Sequence, residues 1–245
     1  MADNDMWTIK AALDWTVGFL ERKGDDNPRL SAEWLMSEAT GLSRIELYVN
    51  FEQPLTLDER AVLRDFVARR GKGEPLQLIS GKVPFRYITV LVAPNVLIPR
   101  PETEVLVSEA FAELKLPRVA DHIAAGENGE EVVSPELPEL RAVDLCTGSG
   151  CIACSIASEY PAAHVVALDI APEALALAGK NIAALGLGDR VEVRGSDLLG
   201  ALDHDERGSF DLIISNPPYV PTKVCDGLPR EVSEWDPRLA LDGGE

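Results

Sequence analysis

The chain has 245 residues, 46% of them hydrophobic and 26% charged, a balance that suits a folded protein of one or two domains and excludes a disordered chain. Forty-one acidic against 23 basic side chains leave a formal net charge of −18, which argues against gripping the phosphates of a long nucleic-acid duplex. Four cysteines in this length are too few for a disulfide scaffold, no apolar run reaches the roughly 18 residues of a membrane span, and the acidic start Met1-Ala2-Asp3-Asn4-Asp5 leads into no signal-peptide core. A cytoplasmic protein with reduced thiols is expected, without a membrane contact.

The first 75 residues predict short helices. One spans about Thr8–Arg22. In the next, Asn27-Pro28 offers an N-cap and an N1 proline, Gly41 a stop, and Leu30, Trp34, Leu35 and Ala39 a face at helical spacing. Ser43-Arg44-Ile45-Glu46 and Thr56-Leu57-Asp58-Glu59 both match the capping-box pattern. The second of these opens a helix with Ala61, Val62, Phe66 and Val67 inward and Gly71 at its end. The one basic cluster, Arg60, Arg64, Arg69, Arg70 and Lys72, reads as a solvated helix face. This bundle has no His, no Cys and no glycine loop, so it recognises a partner or supports the next domain.

Residues 76–104 change character. Val83 to Val92 is β-branched and aromatic with a proline near each end, and it predicts a strand or hairpin. Pro99 and Pro101 hold the chain extended, and a helix comes next over Val105 to Leu114. Residues 117–140, acidic and rich in Gly and Pro, read as a surface loop. From Arg141 strands and helices alternate: a buried strand to Cys146, a tight turn at Gly148-Ser149-Gly150, a helix from Cys151 to Tyr160, a strand from His164 to Leu168, a helix from Pro172 to Leu185, a strand from Arg190 to Arg194 and a fourth from Phe210 to Ser215. The pattern predicts an α/β, Rossmann-like parallel sheet with ligands at the strand C-termini.

Two motifs lie at those ends. Asp144-Leu145-Cys146-Thr147-Gly148-Ser149-Gly150 is a glycine turn between strand and helix, and Asp169 closes the next strand 19 residues after Gly150. A carboxylate there is placed to bond ribose hydroxyls. The turn lacks a full phosphate-cradling glycine pattern, so a nucleoside ligand without phosphates fits better. The second motif, Ser215-Asn216-Pro217-Pro218-Tyr219, comes directly after the fourth strand. Its two prolines stiffen an extended turn. That aims the Asn216 side-chain carbonyl and the Pro217 carbonyl at one small space, where they can accept both hydrogens of a planar –NH2 group, with Tyr219 stacked on it.

With these motifs the sequence resembles the class I methyltransferases that act on amide or exocyclic amino nitrogen. Glu74-Pro75-Leu76-Gln77, Gly81, Phe85 and the run VLIPRPETE from Val96 to Glu104 are similar to the release factor N(5)-glutamine methyltransferases, as is the helical N-terminal module; the resemblance runs from about Leu30 to Glu245. It implies methyl transfer from S-adenosyl-L-methionine to the amide nitrogen of the glutamine in the Gly-Gly-Gln loop of peptide chain release factors. Carried over by position, Cys146, Thr147, Gly148, Ser149 and Gly150 line the methionine part of the cofactor, Asp169 binds the ribose and Leu198 lies near the adenine. Asn216 touches cofactor and substrate, and Asn216, Pro217, Pro218 and Tyr219 hold the glutamine. Arg100-Pro101-Glu102-Thr103 would cover the cofactor. The domains on this reading are a helical release-factor-recognition domain at 1–75, a β-hairpin linker at 76–104 and the methyltransferase domain at 105–245, in a monomeric enzyme with no metal and no direct contact to nucleic acid.

The sequence departs from the family pattern twice. Cys146 stands where the family usually has glycine, and the chain stops at Asp242-Gly243-Gly244-Glu245 with four of seven strands. A C-terminally truncated sheet is therefore expected, with the fourth strand at its edge. Two rival readings use the same residues: an N6-adenine nucleic-acid methyltransferase, disfavoured by the acidic charge, and a truncated form that binds without catalysing. Cys151 and Cys154, spaced C-x-x-C at a helix start, have no second pair or nearby His and read as core packing. His122, His164 and His204 have no catalytic partner in the sequence.

Overall fold

The computed structural model describes residues 7–116 and 137–245. They divide between Gly81 and Lys82 into two compact units. Most of the loop expected at 117–140 lies outside the described residues, as does His122.

The first unit is helical: α1 (Ile9–Arg22), α2 (Pro28–Thr40), α3 (Arg44–Val49), α4 (Leu57–Arg70) and α5 (Leu76–Ser80). The Thr8 hydroxyl caps α1 by accepting from the Ala11 amide at 3.2 Å, and both capping boxes are present, Ser43 with Glu46 and Thr56 with Glu59. Ile9, Leu13, Leu20, Leu35, Met36, Leu47, Leu63 and Val67 form the core.

Two helix faces differ from the expected ones. In α2 the buried positions are Ser31, Ala32, Glu33, Leu35 and Met36, while Leu30 is 45% exposed. The inward stripe was masked by a buried carboxylate. Glu33 accepts from Arg29 and Arg44, each at 2.5 Å, and from the Tyr48 hydroxyl. Burial alone would raise this carboxyl, but the three hydrogen bonds outweigh it and hold it below the ordinary carboxylate value. In α4 the buried pair is Leu63 and Val67, one turn apart, and Ala61 and Val62 face outward. Gly71 does close α4, but at φ −63°, not in a left-handed cap. A Cβ there would meet the Phe19 ring at 2.8 Å, so close packing requires this glycine.

The second unit opens with an antiparallel hairpin of β1 (Lys82–Phe85) and β2 (Ile88–Leu91), with Phe85 opposite Ile88. Next come α6 (Pro101–Glu113), β3 (Leu140–Leu145), α7 (Cys151–Glu159), β4 (Ala163–Asp169), α8 (Pro172–Ala184), β5 (Val191–Gly195) and β6 (Leu212–Ser215). The last segments are short: β7 (Val220–Pro221), α9 (Thr222–Cys225), α10 (Arg230–Ser233), a 3-10 turn (Arg238–Ala240) and β8 (Asp242–Gly244). Among the described residues the main sheet has four parallel strands in the order β5-β4-β3-β6. Parallel neighbours need helical crossovers, and α7 and α8 supply them. Val143, Ala167 and Leu168 are buried on strands covered from both faces. In this sheet β6 is outermost, with Ile213 exposed. Cys151 and Cys154 are core residues, 7% and 0% exposed.

Arg86, in the hairpin turn, fastens three elements together. Its guanidinium grips Glu159 of α7 with two bonds of 2.6 Å, donates to the Glu104 carbonyl at 2.9 Å and reaches the Ser108 hydroxyl on α6. Glu159 is buried and Arg86 mostly so, their side chains being 3% and 12% exposed. Removing one member of such a pair strands the other charge in a low-dielectric setting. Arg86→Ala is therefore expected to lower unfolding stability by about 3–5 kcal/mol, read from the urea midpoint. A loss under about 1 kcal/mol, as for surface pairs, would mean that water reaches Glu159 in the variant.

Candidate active site

The register of the sheet assembles the site. Leu145 at the end of β3 pairs with Leu168 of β4 on one side and Ser215 of β6 on the other. Cys146, Asp169 and Asn216 are thus the next residues on three adjacent strands. At about 4.8 Å between strands, Cys146 sits between the other two. Asp169 pairs with Gly195, which brings Ser196, Asp197 and Leu198 to the same edge.

The turn after β3 is built on left-handed backbone. Cys146, Gly148 and Gly150 have φ of 57°, 57° and 79°. At Gly150 the absent Cβ also matters, because it would meet Ala178 of α8 at 3.1–3.2 Å. Gly150 is a packing residue in this structure and does not line the cavity. Cys146 takes the same kind of conformation with a side chain, at a cost glycine would avoid. Burial pushes its thiol up, and the charge of Asp169 adds to that. Burial likewise pushes Cys151 and Cys154 up to about 12 each, which keeps both as thiols at neutral pH.

Two carboxylates brace the turn. Asp169 accepts from the Gly148 amide at 2.8 Å and the Ala171 amide at 2.9 Å, one on each oxygen. A carboxylate has about four lone-pair sites, so acceptor capacity is left on the side facing the cavity. Asp144 is fully buried; one oxygen accepts from the Thr147 hydroxyl at 2.5 Å and the Ala153 amide at 3.1 Å, and the other has no partner.

The Asn216-Pro217-Pro218-Tyr219 turn is held from two directions. The Asn216 side-chain amide donates to the Thr103 hydroxyl at 3.0 Å. Downstream, β7 pairs in parallel with β8, and the Val220 amide donates to the Leu241 carbonyl at 2.9 Å. Gly243 lies so close to the turn that a Cβ would stand 2.7 Å from the Pro218 carbonyl oxygen and 2.9 Å from the Tyr219 Cα.

These residues border two cavities. The larger, about 430 Å³, is lined by Cys146 to Ser149, Asp169, Asp197 and Leu198, with Asn216, Pro217 and Pro218. That volume suits a small-molecule site. The smaller, about 180 Å³, is lined by Glu102, Leu106, Tyr219 and Val220 among others. Asn216, Pro217, Thr103 and Arg100 line both. Thus every expected site residue except Gly150 and Pro101 lines a cavity, and Glu102 and Tyr219 line only the smaller. Pro237, Leu239, Ala240 and Gly243 also line the larger cavity and carried no signal in the sequence, being ordinary apolar or small residues. Arg100 was expected as a cover; it pairs with the buried Asp236 at 2.5 Å and so ties the C-terminal wall to the start of α6. His164 and His204 are exposed and away from both cavities. Among the described residues no group of three or more His, Cys, Asp or Glu could hold a metal ion, and no helix is long and apolar enough to cross a membrane.

Burial pushes the Asp144 carboxyl up to about 7, against the bonds from Thr147 and Ala153 and with a further push from Asp169. The folded value lies above the unfolded one of 3.8, so the folded state binds more protons in between. Stability is full below the unfolded value and falls as pH rises through the folded one. At about 1.4 kcal/mol per pH unit between the two values, the loss is on the order of 4 kcal/mol. Asp144→Asn is expected to flatten the decline in stability measured by urea unfolding between about pH 4 and 7. A wild-type curve already as flat as the variant's would show that Asp144 stays ionised.

Comparison with known proteins bears on the whole chain. The family model described as the PrmC N-terminal domain matches residues 11–81, and that described as the methyltransferase small domain matches residues 127–227. The chain is similar to the release factor glutamine methyltransferase of Geobacter sulfurreducens, 46% identical over 240 residues, covering 98% of this chain and 75% of that protein. It is 41% identical to the protein of the same name from Rhodopirellula baltica, over 97% of this chain and 74% of that one. It is 38% identical to that from Chlorobaculum tepidum, over 98% and 77%. With both family regions present and such identity along nearly its full length, the chain belongs to the release factor glutamine methyltransferase family.

Proposed function

We propose that this protein methylates the side-chain amide nitrogen of the glutamine in the Gly-Gly-Gln motif of peptide chain release factors, with S-adenosyl-L-methionine as donor. The observation that carries this reading is the common wall: Asn216 and Pro217 border a cavity of nucleoside size on one side and a smaller one on the other. A group held in the smaller cavity is therefore separated from the contents of the larger by these two residues, each of which carries a carbonyl oxygen.

The larger cavity has the donor set for the cofactor. Asp169 has acceptor capacity left for ribose hydroxyls. Leu198, 62% exposed at φ 48°, offers an apolar plate beside the Asp197 carboxylate, and Cys146 to Ser149 flank the opposite end. Asp169 and Asp197 make the site hospitable to a cation. When bound, S-adenosyl-L-methionine supplies an electrophilic methyl group on a positively charged sulfur.

The chain's own residues act on the amide. An amide nitrogen is a poor nucleophile because its lone pair is delocalised into the carbonyl. Hydrogen bonds from its two N–H groups to Asn216 Oδ1 and the Pro217 carbonyl return electron density to the nitrogen and fix its direction. Tyr219, 75% exposed at the mouth of the smaller cavity, can cover the flat group. Positioning and fixed dipoles thus do the work, and the proton that the methylated nitrogen must shed passes to water, without a dedicated base. The helical region 1–75 serves as the docking module for the protein substrate; exposed Ile45, Val49 and Leu57 are surface available for it. On this reading the enzyme works as a cytoplasmic monomer and needs no contact with nucleic acid.

Incubating a purified release factor with enzyme and cofactor is expected to add the mass of one methyl group at that glutamine, and an unchanged intact mass would refute the function. Asn216→Ala is expected to cut the rate by about 10²–10³, as for other preorganised contacts, with an unchanged circular dichroism spectrum; more than half the activity remaining would remove Asn216 from the mechanism. Gly243→Ala, which must push the Pro218 carbonyl aside, is expected to lower the rate by about 10²-fold, the scale of an ångström-sized misplacement. A fully active Gly243→Ala enzyme would show that the turn is held by its own prolines alone.

A further inference from the structure

Thr103 is an anomaly in the first turn of α6. Its flanking residues there are Pro101, Glu102 and Glu104, of which Pro101 and Glu102 are exposed, yet Thr103 is only 6% exposed. Early helical turns usually turn their polar side chains to water or to their own backbone. Here the hydroxyl turns inward and accepts from the Asn216 side-chain amide at 3.0 Å, across 113 residues of sequence. The helix that presents it is anchored on several sides. Val107 and Phe111 are buried in the core, Arg86 bonds the Glu104 carbonyl, and the neighbouring Arg100 pairs with buried Asp236.

A carboxamide needs such a partner if it is to act through one atom. The terminal torsion of asparagine is broad and nearly two-fold, because oxygen and nitrogen have almost the same shape. Turned over, Asn216 would present N–H groups to an incoming –NH2 and repel it. Swung out of plane, it would spread its oxygen over many directions. We infer that Thr103 is a positioning residue: its hydroxyl engages the Asn216 nitrogen and so holds Oδ1 toward the acceptor amide. Threonine suits the task because its branched Cβ restricts χ1. Thr103 and Asn216 line both cavities together, so the bond sits in the partition between them. This inference rests on the proposed reading that Oδ1 accepts from the substrate amide.

Three variants and two readouts test it. Thr103→Val keeps the shape and removes the hydroxyl, Thr103→Ser keeps the hydroxyl, and Thr103→Val combined with Asn216→Ala asks whether the two act through one another. In steady-state methylation of a release factor, Thr103→Val is expected to lower kcat by about 10–10²-fold, at or below the scale of losing a preorganised contact, with little change in the KM for cofactor. Thr103→Ser should restore most of it. On the Asn216→Ala background, Thr103→Val should add less than about twofold, the non-additivity of coupled residues. Fully additive losses, or a Thr103→Val enzyme with wild-type kcat, would overturn the inference. The second readout needs no activity. In the enzyme alone, 15N spectra should show the Asn216 side-chain amide protected from exchange in wild type and Thr103→Ser, and exposed in Thr103→Val. Equal protection in all three overturns the inference. If the spectra change as expected while the wild-type enzyme leaves the release factor unmodified, the positioning contact stands and the proposed substrate falls.

Discussion

The pairing of β3 with neighbours on both sides is the constraint that creates the site. Because Leu145 is matched to Leu168 and to Ser215, the residues one step further on three strands come out side by side. Parallel hydrogen bonding forbids a slip of one residue without turning every buried side chain of the strand to the wrong face. The core residues Val143 and Leu168 therefore indirectly fix the positions of Cys146, Asp169 and Asn216. Packing energy spent in the sheet becomes precision at its edge.

The polar groups around that edge are satisfied mainly by backbone. Asp169 takes two amide hydrogens from turns that would otherwise leave them unpaired, and the β7–β8 pairing does the same for the segment after Tyr219. Such bonds preorganise the site before a ligand arrives, so less ordering remains to be done on binding. Asp144 is the exception: it has one unpartnered oxygen in the interior beneath the turn and holds Thr147 and the start of α7 through the other.

Much of this was legible in the sequence, for identifiable reasons. The parallel sheet showed as short apolar strands alternating with helical spacing, and the Asn-Pro-Pro-Tyr turn showed because two prolines allow few backbone paths. What failed to show was chemistry that contradicts composition. Glu33 hid the inward face of α2, since a carboxylate is not expected in a core until its three partners are known. Gly71 looked like a helix cap and is instead the space for Phe19. Gly243 and Thr103 act through contacts across 25 and 113 residues, from Gly243 to Pro218 and from Thr103 to Asn216, and no local pattern encodes those distances. Gly150 belonged to a motif that suggested a ligand contact, but its neighbour is Ala178.

The wall shared by the two cavities also bears on kinetic order. Since Asn216 and Pro217 face a separate space on each side, neither ligand has to leave for the other to enter. On the proposed reading, donor and acceptor are held at once, and the methyl group would go directly from one to the other. No side chain carries it in between, so initial-velocity lines for the two substrates intersect instead of running parallel.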